Sequence, residues 1–100
     1  MLAKVKEIVL RLEPEAEIYL FGSRARGDFM EDSDWDLLIL LPGEVDWDRR
    51  IPIINDLTDL EVDEGIIFSR IISSKNEWYK DKVFKFTPFY QNVEPEKIEL

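Results

Sequence analysis

The chain has neither cysteine nor histidine among its 100 residues. The lack of cysteine excludes disulfides and thiol catalysis, and the lack of both residue types excludes zinc sites built on their side chains. Histidine is also the most common general base in enzymes, so any acid–base chemistry in this protein falls to Asp or Glu.

Positive charge is scarce, with 13 Lys and Arg against 22 Asp and Glu, for a formal net charge of −9. Because nucleic-acid phosphates are bound mainly by Lys and Arg, we expect no nucleic-acid partner. A cation, a basic protein or a nucleotide neutralised by metal fits this charge better. No apolar run approaches membrane-spanning length and no signal peptide is evident, so we expect a cytoplasmic protein with no membrane partner.

The hydrophobic fraction of 45% and the aromatic fraction of 12% are typical of a folded protein, although 35% of the residues are charged. A chain of this size buries roughly two-thirds of the surface that its unfolded form exposes, which is enough for one modest core. We find no repeat, low-complexity segment or linker. The sequence therefore predicts a single domain over residues 1–100.

Apolar periodicity and breaker residues divide the chain into seven elements. In chain order these are a helix over 2–12, a strand over 18–21, a short helical turn over 24–27, a strand over 35–41, a helix over roughly 46–62, a strand over 66–73 and a short helix from 74 to about 81. Thr87-Pro88 are expected to cap one more short turn. This order predicts an α/β (α+β) fold with a small mixed β-sheet of about three to four strands flanked by helices.

Several apolar residues have more than one interpretation. Pro52 leaves open a later start for the second long helix, with the proline in its first turn. Trp35 points away from the face of its two neighbouring aspartates, which favours a place in the core over a platform for a base. The aromatic cluster Phe84–Tyr90 is expected to pack on the sheet, with a partner interface as the alternative.

The pattern with the most chemical content joins the ends of two predicted strands. Gly22-Ser23 follow one strand, and Asp34-Trp35-Asp36 enter the next one after ten further residues. Carboxylates at alternate positions of a strand point to the same face, and their oxygens suit a hard divalent cation. Gly22 permits close approach of a phosphate because it lacks Cβ, and Ser23 adds a hydroxyl. The pattern predicts metal-dependent phosphoryl or nucleotidyl chemistry.

The acidic cluster has two other interpretations. An EF-hand loop counted from Asp32 is excluded, because its sixth position is Leu37 rather than glycine and its twelfth is Gly43 rather than glutamate. A solvated loop is the usual role of clustered acids, but the fixed spacing from Gly-Ser and the apolar strand that follows favour a site.

Three polar residues of the motif have structural alternatives. Ser23 is also a typical helix-capping residue, and capping is compatible with phosphate binding. Arg24 and Arg26 suit contact with a phosphate or pairing with the acidic loop that follows them.

The stretch Ile18–Leu41 resembles the minimal nucleotidyltransferases of the DNA polymerase β superfamily. The family signature is Gly-Ser, ten residues, then Asp-x-Asp, and here the ten residues run from Arg24 to Ser33. The flanking words GSRARG and SDWDL also match the family's usual wording. The resemblance implies the nucleotidyltransferase fold, Mg²⁺, and transfer of a nucleoside monophosphate, AMP from ATP, to a protein or small-molecule acceptor.

The resemblance also implies roles for individual residues and a kind of partner. Asp34 and Asp36 are the expected metal ligands and catalytic residues, and Gly22, Ser23 and Arg24 are the expected nucleotide-binding residues. In many relatives the chain is the antitoxin of a helical HEPN toxin, which it can adenylylate on tyrosine. A HEPN-type partner is therefore an expectation for this chain too.

One departure from the family pattern concerns a third carboxylate, which active relatives usually carry on the next core strand. The strand after Gly65 contains no Asp or Glu, so Ser69 or Arg70 stands in its place. Asp63 and Glu64 lie just before the strand and are the candidates for completing the site. The alternative function is a weak or inactive nucleotidyltransferase-fold module that masks a partner protein.

Overall fold

Five α-helices, one 3-10 turn and four strands follow one another in a computed structural model that describes residues 1–100. In chain order they are α1 (Leu2–Leu12), β1 (Glu17–Phe21), α2 (Ser23–Arg26), β2 (Trp35–Leu41), α3 (Trp47–Glu64), β3 (Phe68–Ser74), α4 (Lys75–Lys80), the 3-10 turn (Phe84–Phe86), α5 (Pro88–Glu96) and β4 (Ile98–Glu99). The strand order in the sheet is β3-β2-β1-β4. β1 runs antiparallel to β2 and β4, whereas β2 and β3 are parallel. The predicted small mixed sheet flanked by helices is confirmed.

The central strand β2 is covered on both faces, as its unbroken apolar run predicts. Leu37, Ile39 and Leu41 are fully buried in a core that includes residues of α1 and α3. Leu38 and Leu40 are fully buried on the other face, beneath α4 and α5. Because the two cores share one strand, the position of β2 is fixed by packing from both sides.

Helix α3 begins earlier than a proline-based start predicts. The Asp46 side chain caps it by accepting a hydrogen bond from the Arg49 N–H at 3.0 Å, so the helix starts at Trp47. Pro52 therefore lies in the second turn, where it leaves one backbone acceptor without its usual N–H partner. The helix ends at Gly65, whose φ of +67° suits a residue without Cβ.

The C-terminal segment contains more structure than the sequence predicts. Thr87 caps a helix, as expected, by accepting a hydrogen bond from the Tyr90 N–H. The helix, however, runs for nine residues and is followed by β4, which pairs with Tyr19 and Leu20 of β1. A two-residue strand is too short to show any apolar alternation, so its sequence carries no strand signal.

Trp78, for which the sequence indicates no role, is the centre of the second core. It is fully buried, and the rings of Phe84, Phe89 and Tyr90 lie 5.0 to 6.1 Å from it. Its indole N–H donates to Glu94 on α5 at 2.6 Å. The predicted packing of the aromatic cluster on the sheet is thus observed, except at Phe86, which is 80% exposed.

No helix of the structure combines the length and the apolar character that crossing a membrane requires.

We predict that Trp78→Ala lowers the free energy of unfolding by about 3–5 kcal/mol, the usual loss for a large buried aromatic side chain. The matched control is Trp47→Ala, because Trp47 is 65% exposed and its loss is expected to cost about 0.5 kcal/mol or less. Urea denaturation followed by circular dichroism measures both. Equal losses for the two variants would contradict the central place of Trp78 in the second core.

Candidate functional site

The two halves of the motif meet where β1 ends beside the start of β2. Phe21 pairs with Asp36 across the antiparallel strands, and Gly22 follows directly. A Cβ built on Gly22 would lie only 1.9 Å from Oδ2 of Asp36, and the φ of Gly22 is +76°. Glycine is therefore required here on both counts, since any side chain would displace the Asp36 carboxylate.

The turn that follows Gly22 presents unpaired hydrogen-bond donors. The carbonyl of Gly22 accepts hydrogen bonds from the N–H groups of Ala25 and Arg26, both at 3.0 Å, and these bonds begin α2. The N–H groups of Ser23 and Arg24 have no acceptor within the protein, and the Ser23 hydroxyl makes no capping bond. Consecutive free N–H groups after a residue with positive φ form a concavity that suits an anion.

The carboxylate of Asp36 is half-buried and accepts no hydrogen bond from the protein. Burial raises the pKa of Asp36 above its ordinary value, and the negative charges of Asp34 and Glu96 raise it further, while Arg26 opposes them. Ionising Asp36 thus adds negative charge to a site already rich in it. A cation at this point would relieve the repulsion.

The residues present fit a magnesium ion held by two protein carboxylates. No three or more acidic side chains lie close enough together to surround one ion. Mg²⁺, however, is commonly bound through one or two carboxylates, with water and substrate phosphates completing its six oxygen ligands. Asp34 and Asp36 are the two side chains that would hold it.

Glu96, at the end of α5, is a site residue that the sequence does not reveal. Its Oε2 accepts a hydrogen bond from the Gly22 N–H at 3.1 Å and another from Nη1 of Arg26 at 2.9 Å. Its side chain is only 18% exposed. Glu96 lies 74 positions after Gly22 and belongs to no motif, so only the fold of the C-terminal segment brings it here.

Arg24 organises the loop that carries the acidic pair. Its guanidinium donates to the carbonyls of Ser33 and Glu31 at 2.9 to 3.2 Å. The same group lies 4.2 Å from the ring centre of Trp35 and 4.6 Å from that of Phe29. These contacts hold the loop leading into Asp34, whereas contact of Arg24 with a nucleotide stays a prediction.

The strand register identifies the residue at the place of the missing third carboxylate. Ser69 lies beside Asp36 in the parallel β2–β3 pair, on the same face of the sheet. Arg70 points to the other face, where it pairs with Glu61 at 2.7 Å.

The acids before β3 face away from the site. Glu64 forms a salt bridge with Lys4 of α1 at 2.5 Å, and the negative charge of Asp63 also raises the pKa of Lys4. The structure therefore does not bring Asp63 or Glu64 to the aspartate pair, and Glu96 is the additional carboxylate that it does bring there.

Comparison with known proteins agrees with this geometry. A family model described as a nucleotidyltransferase domain matches residues 2–97. The chain belongs to this family. This nucleotidyltransferase domain is 36% identical over 94 residues to "Putative protein adenylyltransferase MJ0604" of Methanocaldococcus jannaschii, and the match covers 89% of this chain and 86% of the other.

Solved structures share the fold. A "putative nucleotidyltransferase" from Sulfolobus solfataricus is 26% identical with a TM-score of 0.58, over 96% of this chain and 72% of that one. Another structure of the same description is 28% identical with a TM-score of 0.64, over 99% and 96% of the two chains. A toxin–antitoxin structure with AMP-PNP has a TM-score of 0.63 over 99% and 72%, and its 19% identity limits the likeness to the fold.

We predict that Asp36→Asn raises the thermal midpoint of this nucleotidyltransferase domain at neutral pH when divalent cations are removed with EDTA. The native state opposes ionisation of Asp36, since the pKa of Asp36 is raised. Ionisation of Asp36 therefore lowers the stability of the fold above that pKa. It has no effect below the ordinary carboxylate range, where Asp36 is protonated in both the folded and the unfolded protein. The gain of the variant should shrink as pH falls through this window.

The control is Asp32→Asn, an equal change of charge at an exposed acid of the neighbouring loop. Thermal unfolding at a series of pH values, followed by circular dichroism, compares the two variants with the wild type. A pH-independent gain, or the same gain for both variants, would contradict the origin assigned to the raised pKa of Asp36.

Proposed function

We propose that this nucleotidyltransferase domain transfers AMP from ATP, in the presence of Mg²⁺, to a hydroxyl group of a protein or small-molecule acceptor. The observation that carries the proposal is the contact between the turn at Gly22 and the carboxylate of Asp36. It sets unpaired backbone N–H groups, which suit phosphates, against an aspartate pair that suits a cation. The two features together match a triphosphate neutralised by a divalent ion.

Each part of the site has a role in this reaction. The N–H groups of Ser23 and Arg24, with the Ser23 hydroxyl, bind oxygens of the phosphates other than the α-phosphate, which is the one that reacts. Asp34 and Asp36 hold the ion, which supplies charge neutralisation for the phosphates and the leaving group when bound. The acceptor oxygen attacks the α-phosphorus, the bond from that phosphorus to the bridging oxygen breaks, and pyrophosphate leaves.

The proton of the acceptor hydroxyl passes to a carboxylate of the aspartate pair. The chain has no histidine to take it.

A protein acceptor is favoured over a small molecule. The relative from Methanocaldococcus jannaschii bears the name of a protein adenylyltransferase. We propose a helical HEPN-type toxin as the class of partner, in line with the fold shared with a toxin–antitoxin structure.

A second candidate function is a module that binds and masks its partner without modifying it. Ser69, which stands beside Asp36 where an acid is expected, favours this candidate because it leaves the site one carboxylate short. The net charge of −9 suits a basic partner. The two candidates differ in whether the effect on the partner requires ATP.

We predict that Asp34→Asn with Asp36→Asn lowers AMP transfer by about 100-fold or more, since the charge that holds the ion is lost. The measurement is incubation with Mg²⁺-ATP and a HEPN-type protein, followed by mass spectrometry for added AMP. A matched control removes two exposed acids of the same loop, Glu31→Gln with Asp32→Asn, and should transfer at the wild-type rate.

Loss of transfer in the double aspartate variant, with transfer retained by the control variant, supports the enzymatic function. Absence of AMP from the partner with the wild-type protein, together with ATP-independent masking that the double variant retains, would instead establish the binding module. Unchanged transfer by the double variant would remove Asp34 and Asp36 from the reaction.

A further inference from the structure

The anion-binding turn already contacts an anion that belongs to the protein itself. Oε2 of Glu96 lies 3.1 Å from the backbone nitrogen of Gly22 and 2.9 Å from Nη1 of Arg26. These two donors flank the unpaired N–H groups of Ser23 and Arg24. The carboxylate therefore occupies part of the surface on which the phosphates of a nucleotide would lie.

The fold fixes Glu96 at this place from both sides. Before it, Val93 of α5 is buried in the second core. After it, Ile98 pairs with Leu20, and the N–H of Leu100 donates to the carbonyl of Ile18 at 2.9 Å. The backbone at Glu96 is thus held beside the end of β1, and the side chain reaches the turn without any motion of the helix.

The contact brings Glu96 close to like charges. Asp34 and Asp36 carry negative charge on the same side of the sheet, and the negative charge of Glu96 helps to raise the pKa of Asp36. Arg26 offsets part of this repulsion by pairing with both Glu96 and Asp28. A carboxylate kept near two others is one that a competing anion, arriving with its own cation, can displace.

We propose that Glu96 is a built-in competitor of the nucleotide: phosphate oxygens bind by displacing its carboxylate from the Gly22 N–H and from Arg26. Glu96 thereby lowers the affinity of the turn for the triphosphate, so that the triphosphate does not bind when its concentration is low. The inference rests on the proposed function, because it requires that a nucleotide binds at this turn. No covalent step is involved, only the exchange of one anion for another.

A role of Glu96 as a third metal ligand is less consistent with the structure. No group of three acidic side chains is arranged to hold one ion. The Oε2 atom of Glu96 is also engaged by two donors that favour an anion rather than a cation. The two roles predict opposite effects when the charge of Glu96 is removed.

The test is Glu96→Gln, with Mg²⁺ and AMP-PNP as the probe and isothermal titration calorimetry as the measurement. We expect a dissociation constant about tenfold lower than that of the wild type, because the nucleotide no longer displaces a charge-assisted hydrogen bond. Glu99→Gln is the matched control, since it removes the same charge from an exposed residue three positions further on. It should bind like the wild type.

Two further variants make the test complete. Glu96→Asp keeps the charge but shortens the side chain by one methylene, so it should show part of the gain and serves if Glu96→Gln fails to fold. Arg26→Gln added to Glu96→Gln should lose much of the gain, since the freed guanidinium is expected to bind phosphate.

Weaker or unchanged binding by Glu96→Gln, with binding by the wild type that depends on Asp34 and Asp36, would overturn the inference and leave the proposed function intact. A gain shared by Glu99→Gln would assign the effect to net charge and would also overturn it. Absence of binding by every variant would overturn the proposed function together with the inference.

Discussion

The contact between the Asp36 carboxylate and the bare Cα of Gly22 is the constraint on which the site depends. A single methyl group at residue 22 would lie 1.9 Å from the carboxylate oxygen, so the strand and the turn approach each other only with glycine there. This approach places a carboxylate, a group that suits a cation, beside unpaired N–H groups, which suit an anion. Strand β2 supports this close approach, because packing on both of its faces holds Asp36 in register with Phe21.

The motif and the elements around it could be predicted because their information is local. A Gly-Ser turn, an apolar run and alternate carboxylates follow one another within 24 residues, and strand alternation alone puts Asp34 and Asp36 on one face. The boundaries of α1 and β2 agree with the sequence because helical apolar periodicity determines the first and an unbroken apolar run determines the second. Pro52 misleads slightly, since a cap at Asp46 and a buried helix face outweigh the loss of one hydrogen bond.

The rest of the site depends on contacts between residues far apart in sequence. Glu96 reaches Gly22 through the pairing of a two-residue strand with β1, and such a short strand has no periodicity to detect. Similarly, Ser69 rather than Arg70 lies beside Asp36, which follows from the β2–β3 register alone. Trp78 is central for the same reason, because α4 carries it onto β1 and β2 while Val93 of α5, from a later part of the chain, packs against the same cluster.

The most direct test of the account is a crystal structure of the protein with Mg²⁺ and AMP-PNP. We expect phosphate oxygens within hydrogen-bond distance of the Ser23 and Arg24 N–H groups, and the ion bound between those phosphates and the carboxylates of Asp34 and Asp36. A nucleotide bound elsewhere, or phosphates that leave the Gly22 turn and Asp36 untouched, would contradict the claim that this contact builds the site.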